Sequence, residues 1–521
     1  MRINPTEVLG IANYIAKFGE IVAGTKNEVF LLNYIRSFVE DYSDEVVLEP
    51  VPVTSWHEEY CYVESEGKTH RCAIQPPYSG SIDFEFKSNE VVFLSHDKVL
   101  DGEQLEQEVY DRVVVVETPR DPDDIATIAI TLATKNPKIL VFSDARETIR
   151  RIVILNKLVA LYERAEGLRI PVIVLPGSAA KNILVATSAR VLGSSYTFRS
   201  HGYNLLAWRY RGRGSVYLVA HHDHWLSGAS DNVLGVALVT ALYKMVSESI
   251  LKNMGISLAL FTAEEGFPET INSFYWLVGS RYFVSKHYGK LFDELIAAVN
   301  IDVVYGEKAR VSTANPVLMS MLRGLGPIES DSIVFDSFSF TQAGLPSLTL
   351  HAFQDVLANG VYHSELDALE AININTVEIF AEKAVQVLKK LAEYSDKVEI
   401  RELESALSSE IAKQGGVNLD VAEALYAFFK ELKKCHGHSI TGLFNNFVRA
   451  SVKTFVDIDI GSRLGVREFT VLLKCFDHVF SIPTYGLNNA VECYESHKFN
   501  IDLLKYIVCE VCGCEYSKAV R

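Results

Sequence analysis

The spacing of apolar residues predicts helices before about residue 45 and strands directly after it. In the first segment apolar side chains recur at helical spacing, at Val29, Leu31, Leu32, Ile35, Phe38 and Val39. The next stretch contains short runs typical of strands, including Val46–Val53 and the alternating Ile82–Phe86. A Pro-Pro-Tyr-Ser-Gly run at 76–80 indicates a turn or linker between them.

Between about residues 90 and 200 the pattern changes to alternating strands and helices. Val113–Val116, Ile139–Phe142 and Val172–Leu175 are predicted strands, and Ile125–Thr134 and Ile149–Glu163 are predicted helices. This alternation is typical of an α/β module. The block contains no cluster of metal-binding or acid–base residues, so we interpret it as a separate module that shapes access or assembly.

In the block from about 203 to 395, residues capable of chemistry follow the predicted strands. Each of three strands is followed by a histidine or a carboxylate: Ser215–Ala220 by His221, Ser257–Thr262 by Glu264 and Glu265, and Leu295–Asn300 by Asp302. Ligands of open α/β sheets bind outside the carboxyl ends of the strands. The sequence therefore predicts a ligand site at this edge of the sheet.

The stretch AHHDHWLSGASDN at 220–232 offers three histidines and two aspartates within 13 positions. Zinc sites need such nitrogen and oxygen donors to converge on one point. Taken alone, a polar surface loop explains the stretch about equally well. We interpret His222 as structural, because it should point away from its neighbour His221. For His224 a role behind the ligands or at the surface is favoured, and for Trp225 core packing.

Three further motifs indicate a functional site only when they are considered together. On an extended segment the adjacent Glu264 and Glu265 would point in opposite directions, so a bend is needed if both are to face one site. Asp302 lies among apolar residues, where an unpaired carboxylate is costly and requires a cation or hydrogen bonds. The segment VYHSELD supplies Tyr362, His363 and Asp367. In isolation, a surface glutamate pair and a packed Tyr-His pair are the favoured interpretations.

In this order the motifs resemble metallopeptidase family 28, the di-zinc aminopeptidase and glutamate carboxypeptidase family. The resemblance covers about 205–370, including the segment 336–350 and Gly279-Ser280, and the N-terminal hundred residues only loosely. It implies a role for each matching position: His221 and Asp302 hold one zinc, Glu265 and His363 hold the other, Asp231 bridges them, Glu264 is the general base, Asp223 orients His221 through its carboxylate, and the hydroxyl of Tyr362 faces the reacting carbonyl.

The resemblance also implies an α/β fold with a zinc-exopeptidase-like mixed sheet flanked by helices. We divide the chain into an N-terminal part of the catalytic domain (1–88), an inserted protease-associated-like α/β module (89–202), the catalytic di-zinc domain (203–398) and a helical C-terminal region (399–521). Because 521 residues exceed what one hydrophobic core of about 250–300 residues holds, several units are expected.

The expected activity is removal of N-terminal amino acids from peptides, with two zinc ions, for which cobalt or manganese could substitute. A carboxypeptidase, a glutaminyl cyclase with one metal and a non-catalytic peptidase-like binding protein are the alternatives. An aminopeptidase is favoured because arginines that could bind a substrate carboxylate are few. They are Arg281, Arg310 and Arg323 between 214 and 400, and Arg209, Arg211 and Arg213 just before the first ligand.

Net charge and the length of the apolar stretches limit which partners and which cellular location are expected. A net charge of −16 repels polyanions, so we expect no nucleic-acid partner. No stretch approaches the roughly 20 apolar residues of a membrane span, and no secretory signal begins the chain, so a cytoplasmic protein is expected. Peptides are the expected partners, and assembly into a homo-oligomer is left open.

The cysteines do not clearly predict either a disulfide or a second metal site. Cys61 and Cys72 flank a hairpin-like stretch and could pair, although buried thiols are favoured for a cytoplasmic protein. A metal site in the tail is disfavoured, since its donors are about 70 residues apart and irregularly spaced: Cys435, His436, His438, Cys509, Cys512 and Cys514.

Overall fold

The structure of the protein is a computed structural model. It describes residues 3–100, 105–157, 164–212, 214–248, 254–313, 315–329, 331–343, 345–394 and 458–459. The region 399–521, predicted to be helical, lies outside the described residues except for 458–459, which pair with 331–332 as a short parallel ladder. The candidate metal site of the tail lies outside them as well.

Within the described residues the strands form an 11-stranded sheet, a five-stranded sheet and that short pair. In chain order they are β1 (Glu45–Ser65), β2 (Lys68–Arg71), β3 (Ala73–Ile74), β4 (Gly80–Lys87), β5 (Val91–Leu94), β6 (Val113–Glu117), β7 (Ile139–Asp144), β8 (Val172–Pro176), β9 (Ser188–Gly212), β10 (Ser215–His221), β11 (Met254–Phe261), β12 (Phe267–Pro268), β13 (Leu295–Ile301), β14 (Arg310–Ser312), β15 (Ile328–Glu329), β16 (Asp331–Ser332), β17 (Ser347–His351) and β18 (Ile458–Asp459).

The α-helices lie mainly on the two faces of these sheets. They are α1 (Pro5–Ile15), α2 (Lys26–Val39), α3 (His96–Leu100), α4 (Glu106–Val109), α5 (Pro122–Ala133), α6 (Gly177–Val185), α7 (Leu234–Glu248), α8 (Val278–Glu294), α9 (Pro316–Met321), α10 (Ser337–Gln342), α11 (Phe353–Asn359) and α12 (Ile374–Tyr394). Short 3-10 turns occupy Ala16–Phe18, Glu40–Tyr42, Ser88–Glu90 and Leu369–Ala371.

Four parallel strands form the middle of the large sheet, in the order β11-β10-β13-β17. All residues of β10 and β11 are buried, as expected for parallel strands covered on both faces. Helices α1, α2, α7 and α12 share one hydrophobic cluster with one face of the sheet, and α8 and α10 share another with the opposite face. The predicted mixed sheet flanked by helices is confirmed.

The five-stranded sheet has the order β3-β8-β7-β6-β5, with β5 to β8 parallel. Val113–Val116 is fully buried, between a cluster shared with the large sheet and a cluster shared with α5. The chain returns to the large sheet through β9, which pairs antiparallel with β1 from Ala189 to Trp208. β9 therefore crosses residue 202, where the inserted module was predicted to end, and the division into domains stays a prediction.

The predicted helix at 149–163 is wrong over the residues that the structure describes. Residues 149–157 contain no helix and 158–163 lie outside the described part. Every residue from Ile149 to Leu155 is buried, including Arg150 and Arg151. The segment is extended because hydrogen bonds hold both of its edges, to the Gln75 side chain on one edge and to the main chain of His363 and Glu365 on the other.

Cys61 and Cys72 form a disulfide, contrary to the expectation of buried thiols. The hairpin of β1 and β2 aligns them, with Cα atoms 5.0 Å apart and the Cys72 amide donating to the Cys61 carbonyl at 3.0 Å. Disulfides are rare in the cytoplasm of mesophiles, so this bond gives no support to the cytoplasmic prediction. Among the described helices none is long and apolar enough to cross a membrane.

Candidate metal centre

His221 is the last residue of β10, at the carboxyl edge of the parallel strands. Its Nδ1 lies 3.0 Å from the main-chain carbonyl oxygen of Asp223. A carbonyl oxygen only accepts, so Nδ1 carries a proton and donates it, which leaves Nε2 to face the site. This Nε2 lies 3.2 Å from Oδ1 of Asp231 and 3.3 Å from Oδ1 of Asp302.

Asp231 lies in the tight turn Ala229–Val233 between β10 and α7. The carboxylate of Asp367 holds this turn, because it accepts the amides of Ser230 at 2.8 Å and Asp231 at 3.2 Å. Asp231 directs Oδ1 toward His221 and places Oδ2 3.6 Å from Nε2 of His363. One carboxylate thus faces two imidazoles through different oxygens, which is the arrangement a bridging ligand needs.

Glu264 and Glu265 follow β11 after a bend at Ala263, whose φ is +49°. The required bend is therefore present. Both oxygens of Asp223 fix it, since they accept the amides of Glu264 at 3.0 Å and Glu265 at 3.1 Å. The predicted contact of the Asp223 carboxylate with His221 is replaced by the carbonyl contact, and the carboxylate stays 3.9 Å from Nδ1 because the two amides occupy it.

Asp302 follows β13 and is held by one contact with the neighbouring strand β17 and one with β13 itself. Its amide donates to the Leu350 carbonyl on β17 at 3.0 Å. Its Oδ2 accepts from the side-chain amide of Asn300 at 3.3 Å, which leaves Oδ1 facing His221. Asp302 is 2% exposed, so its carboxylate is buried, as its apolar neighbours in the sequence indicated.

Tyr362 and His363 come from the loop after α11. Nδ1 of His363 lies 3.1 Å from the Arg151 carbonyl oxygen, so this ring also directs Nε2 into the site, 3.2 Å from Oε2 of Glu265. The Tyr362 ring stacks on His363 with centroids 3.7 Å apart. The predicted residues therefore meet in one continuous group, which runs from Asp302 through His221, Asp231 and His363 to Glu265.

Buried polar atoms in this group lack hydrogen bonds. Both carboxylate oxygens of Glu265 and Nε2 of His363 are buried and form none. One donor atom each from His221, Asp231 and Glu265 lie within 4.8 Å of one another, close enough to surround a metal ion. Imidazole nitrogen and carboxylate oxygen are zinc ligands, and a bound cation would satisfy the orphaned atoms. The residues therefore fit the two-metal arrangement that the resemblance implies.

The pKa values of the buried side chains also indicate a site suited to cations. Burial raises the pKa of Glu265 to about 8, with repulsion from Asp231 adding to it and His363 opposing it. Burial and nearby carboxylates also raise the pKa of Glu264 well above its ordinary value. Burial opposes a charge on His363, but Glu265 and Asp231 outweigh it and raise its pKa to about 9. Without cations the site must therefore retain protons at neutral pH.

Asp231 behaves differently from the other carboxyl groups. Burial would raise its pKa, but the imidazoles of His221 and His363 outweigh burial and hold the pKa well below its usual range. Asp336, just before α10, is a further buried carboxyl group beside the site, and burial raises its pKa to about 7. Among these carboxyl groups Asp231 is the one whose pKa is lowered, which favours the ionised form that a bridging ligand needs.

The remaining histidines of 220–232 do not join the group. Nε2 of His222 lies 3.0 Å from Oε1 of Glu28 in a fully buried pair, in agreement with a structural role. His224 is buried and pairs through its main chain with Ile21. Trp225 packs in the core edge-to-face against Trp56.

Three supporting contacts were missed at the level of the sequence: Asp367 on the turn of Asp231, Asn300 on Asp302, and the Arg151 carbonyl on His363. Asp367 follows His363 by four residues and Asn300 precedes Asp302 by two, so proximity in the motifs gave a signal for both. Arg151 lies more than 200 positions from His363, and nothing in the sequence joins them.

Comparisons with known proteins identify a similar family and similar folds. The model of peptidase family M28 matches residues 206–388. A peptidase M28 precursor from Shewanella amazonensis SB2B is similar in structure, with a TM-score of 0.59, 18% identity, and coverage of 74% of this chain and 93% of that chain. The zinc aminopeptidase BSAP of Bacillus subtilis is also similar in structure. Its TM-score is 0.56 at 15% identity, with coverage of 76% of this chain and 96% of that chain.

An aminopeptidase from Aneurinibacillus sp. strain AM-1 is similar too, with a TM-score of 0.50 at 16% identity over 76% of this chain and 94% of that chain. No curated protein matches the chain. At these identities the structural neighbours show the fold, and the family match confirms the resemblance that the motif order implied.

If Asp231 bridges two cations, Asp231→Ala lowers the affinity for both. The expected result is loss of both zinc ions from dialysed protein and loss of most of the rise in melting temperature that zinc produces in the wild type. Elemental analysis and thermal unfolding with and without zinc measure this. Asp83→Ala, which removes an exposed carboxylate paired with Arg190, is the control. One zinc retained at wild-type affinity would contradict the bridge.

Zinc affinity should also depend on pH. The pKa values of about 8 for Glu265 and about 9 for His363 both lie above neutrality, so zinc must displace protons to bind. Its affinity should rise from pH 6 to pH 8, by about tenfold per pH unit for each proton displaced. Competition with a chelator of known proton affinity at constant ionic strength measures it. An affinity that stays flat over this range would show that the site is already deprotonated.

Proposed function

We propose that this chain is a two-zinc exopeptidase that removes N-terminal amino acids from peptides, because its residues 206–388 match the model of peptidase family M28. The observation that carries the proposal is the shared carboxylate of Asp231, which faces the His221–Asp302 pair through one oxygen and the His363–Glu265 pair through the other. Each half of the site offers one imidazole and two carboxylates, a donor set suited to zinc.

The residues would divide the zinc ions as the sequence predicts, with His221 and Asp302 on one, His363 and Glu265 on the other, and Asp231 shared. When bound, zinc makes water acidic enough to act near neutral pH and polarises a carbonyl oxygen. The protein supplies fixed ligand geometry for this chemistry, since each imidazole donates Nδ1–H to a main-chain carbonyl.

Glu264 is the proposed general base. Its main chain is held on both sides, by the Asp223 carboxylate at its amide and by the Leu277 amide at its carbonyl. The side chain is 7% exposed, so it operates in a nearly dry site. There it takes the proton of the attacking water and returns it to the leaving amine of the peptide. Glu265, with two orphaned oxygens, is the ligand of the pair.

Tyr362 is the proposed donor to the oxyanion that develops on the peptide carbonyl. Burial, together with Asp231, Glu265 and Glu264, raises its pKa well above the ordinary value. The hydroxyl therefore keeps its proton at any pH at which the enzyme works and can donate it in a hydrogen bond. Stacking on His363 fixes the ring beside the second half of the site.

The arginines support recognition of an amine rather than a carboxylate. Arg281 donates to the carbonyls of Phe274 and Trp276, Arg310 pairs with Asp355, and Arg209 pairs with Asp44. Arg211 donates to the carbonyl of residue 247, and Arg213 lies outside the described residues. These guanidinium groups are engaged, whereas the buried carboxylates near Glu264 are in excess. Such a field attracts the ammonium of a free N-terminus.

Glu264→Gln should abolish turnover and leave the metal in place. We expect kcat to fall by about 10²- to 10⁴-fold, the typical contribution of a positioned general base, with two zinc ions still bound per chain. Steady-state kinetics and elemental analysis of the same sample check this. Glu269→Gln, which alters an exposed acid paired with Arg199, is the control. Parallel loss of zinc and activity would make Glu264 a ligand instead.

One tripeptide in free, N-acetylated and C-amidated forms tests whether the enzyme requires a free N-terminus or a free C-terminus. An aminopeptidase should cleave the free and amidated forms at similar rates and lose at least about tenfold in kcat/KM on acetylation, which corresponds to about 1.4 kcal/mol of lost transition-state binding. Mass spectrometry of the products identifies the bond that is cut. Cleavage that survives acetylation but is lost on amidation would identify a carboxypeptidase.

A further inference from the structure

The segment 149–155 of the inserted module pairs with the loop that presents His363. The Arg151 amide donates to the His363 carbonyl at 2.9 Å, and Nδ1 of His363 donates to the Arg151 carbonyl at 3.1 Å. Arg150 forms an antiparallel bridge with Ser364, and the Glu365 amide donates to the Ile149 carbonyl at 3.3 Å. A module without metal ligands of its own thus contacts the last metal ligand directly.

We propose that this segment, which we call the bracing segment (149–155), is a positioning element for the second half of the metal site, with Arg151, Arg150 and Arg146 as positioning residues. The proposal rests on the two-zinc function proposed above. The carbonyl oxygen of Arg151 fixes which nitrogen of His363 carries the proton and how the ring is turned, which makes Nε2 a preformed ligand. The inserted module is then part of the catalytic unit.

The side chain of Arg151 anchors this carbonyl. Its guanidinium lies 2.6 Å from Glu20 and 3.0 Å from Glu58, and packs over the Trp56 ring at 4.9 Å. Glu20 also accepts the Leu226 amide at 2.9 Å, in the stretch that follows His221. The same buried ion pairs therefore connect the bracing segment with the N-terminal part of the chain and with the loop between the first metal ligands.

A second anchor holds the start of the His363 loop. The Gly360 carbonyl accepts from Arg146 at 2.9 Å and from Arg150 at 2.5 Å, and Asp144 pairs with both arginines. Gly360 has a φ of +64°, and a Cβ at this position would overlap the Arg146 guanidinium. The backbone of the loop is thus shaped to receive two side chains of the inserted module, three residues before the ligand.

Gln75 holds the bracing segment from its other edge. Its buried side-chain amide donates to the Arg150 carbonyl at 2.9 Å, and its oxygen accepts the Ile152 amide at 2.6 Å. The segment is therefore hydrogen-bonded on both edges, to Gln75 on one side and to the His363 loop on the other. Its position sets the position of the imidazole.

The test compares Arg146→Met and Gln75→Met with the wild type. Arg146→Met leaves Asp144 paired with Arg150, and Gln75→Met changes no charge, so one variant is available if the other fails to fold. Arg190→Met, which breaks an exposed pair with Asp83 on β4, is the matched control. Zinc affinities of the two sites by chelator competition, the visible spectrum of the cobalt-loaded protein, and kcat and KM are measured on each.

The expected result is a loss of about 10- to 100-fold in the affinity of one zinc, with the other within about twofold of the wild type, as found when partners behind metal ligands are removed. The cobalt spectrum should change and kcat should fall more than KM changes, whereas the control should match the wild type. Two zinc ions at wild-type affinity in the folded variants, or equal loss of both, would overturn the positioning role. A wild type that binds no zinc would instead overturn the proposed function.

Discussion

The structure depends on one electrostatic constraint, the burial of several carboxyl groups at the carboxyl edge of four parallel strands. Asp231, Glu264, Glu265 and Asp302 are all nearly excluded from water and lie around two imidazoles. Ionised carboxylates cannot be buried together without cations, and in their absence the raised pKa values show that protons must take that place. The proposed pair of divalent ions would resolve the constraint with the donors that the fold already directs inward.

The surrounding polar groups hold the ligands in position. Asp367 holds the turn of Asp231 by hydrogen bonds, and Asp223 holds the bend of the glutamate pair in the same way. The Arg151 carbonyl holds the His363 ring. Each uses hydrogen bonds to the main chain, so ligand geometry is determined before any ion binds. Because Arg151 lies between β7 and β8, part of this support comes from the segment that connects two strands of the five-stranded sheet.

The family resemblance predicted the mixed sheet, and the apolar runs of the sequence marked the strand ends that the candidate ligands follow directly. Prediction from the sequence failed where tertiary contacts decide the local structure. The apolar residues of the segment 149–155 have helical spacing, yet ion pairs of Arg151 and hydrogen bonds on both edges keep the segment extended. Likewise, the bond between Cys61 and Cys72 depends on the alignment of β1 and β2, and the use of the Asp223 carbonyl in place of its carboxylate depends on two distant amides.

Crystallography of the zinc-loaded protein with anomalous data collected at the zinc absorption edge tests the central claim most directly. The account predicts two anomalous peaks about 3.5–4 Å apart. One should lie among His221, Asp231 and Asp302, and the other among Asp231, Glu265 and His363. A single peak, or two peaks of which neither contacts Asp231, would contradict it.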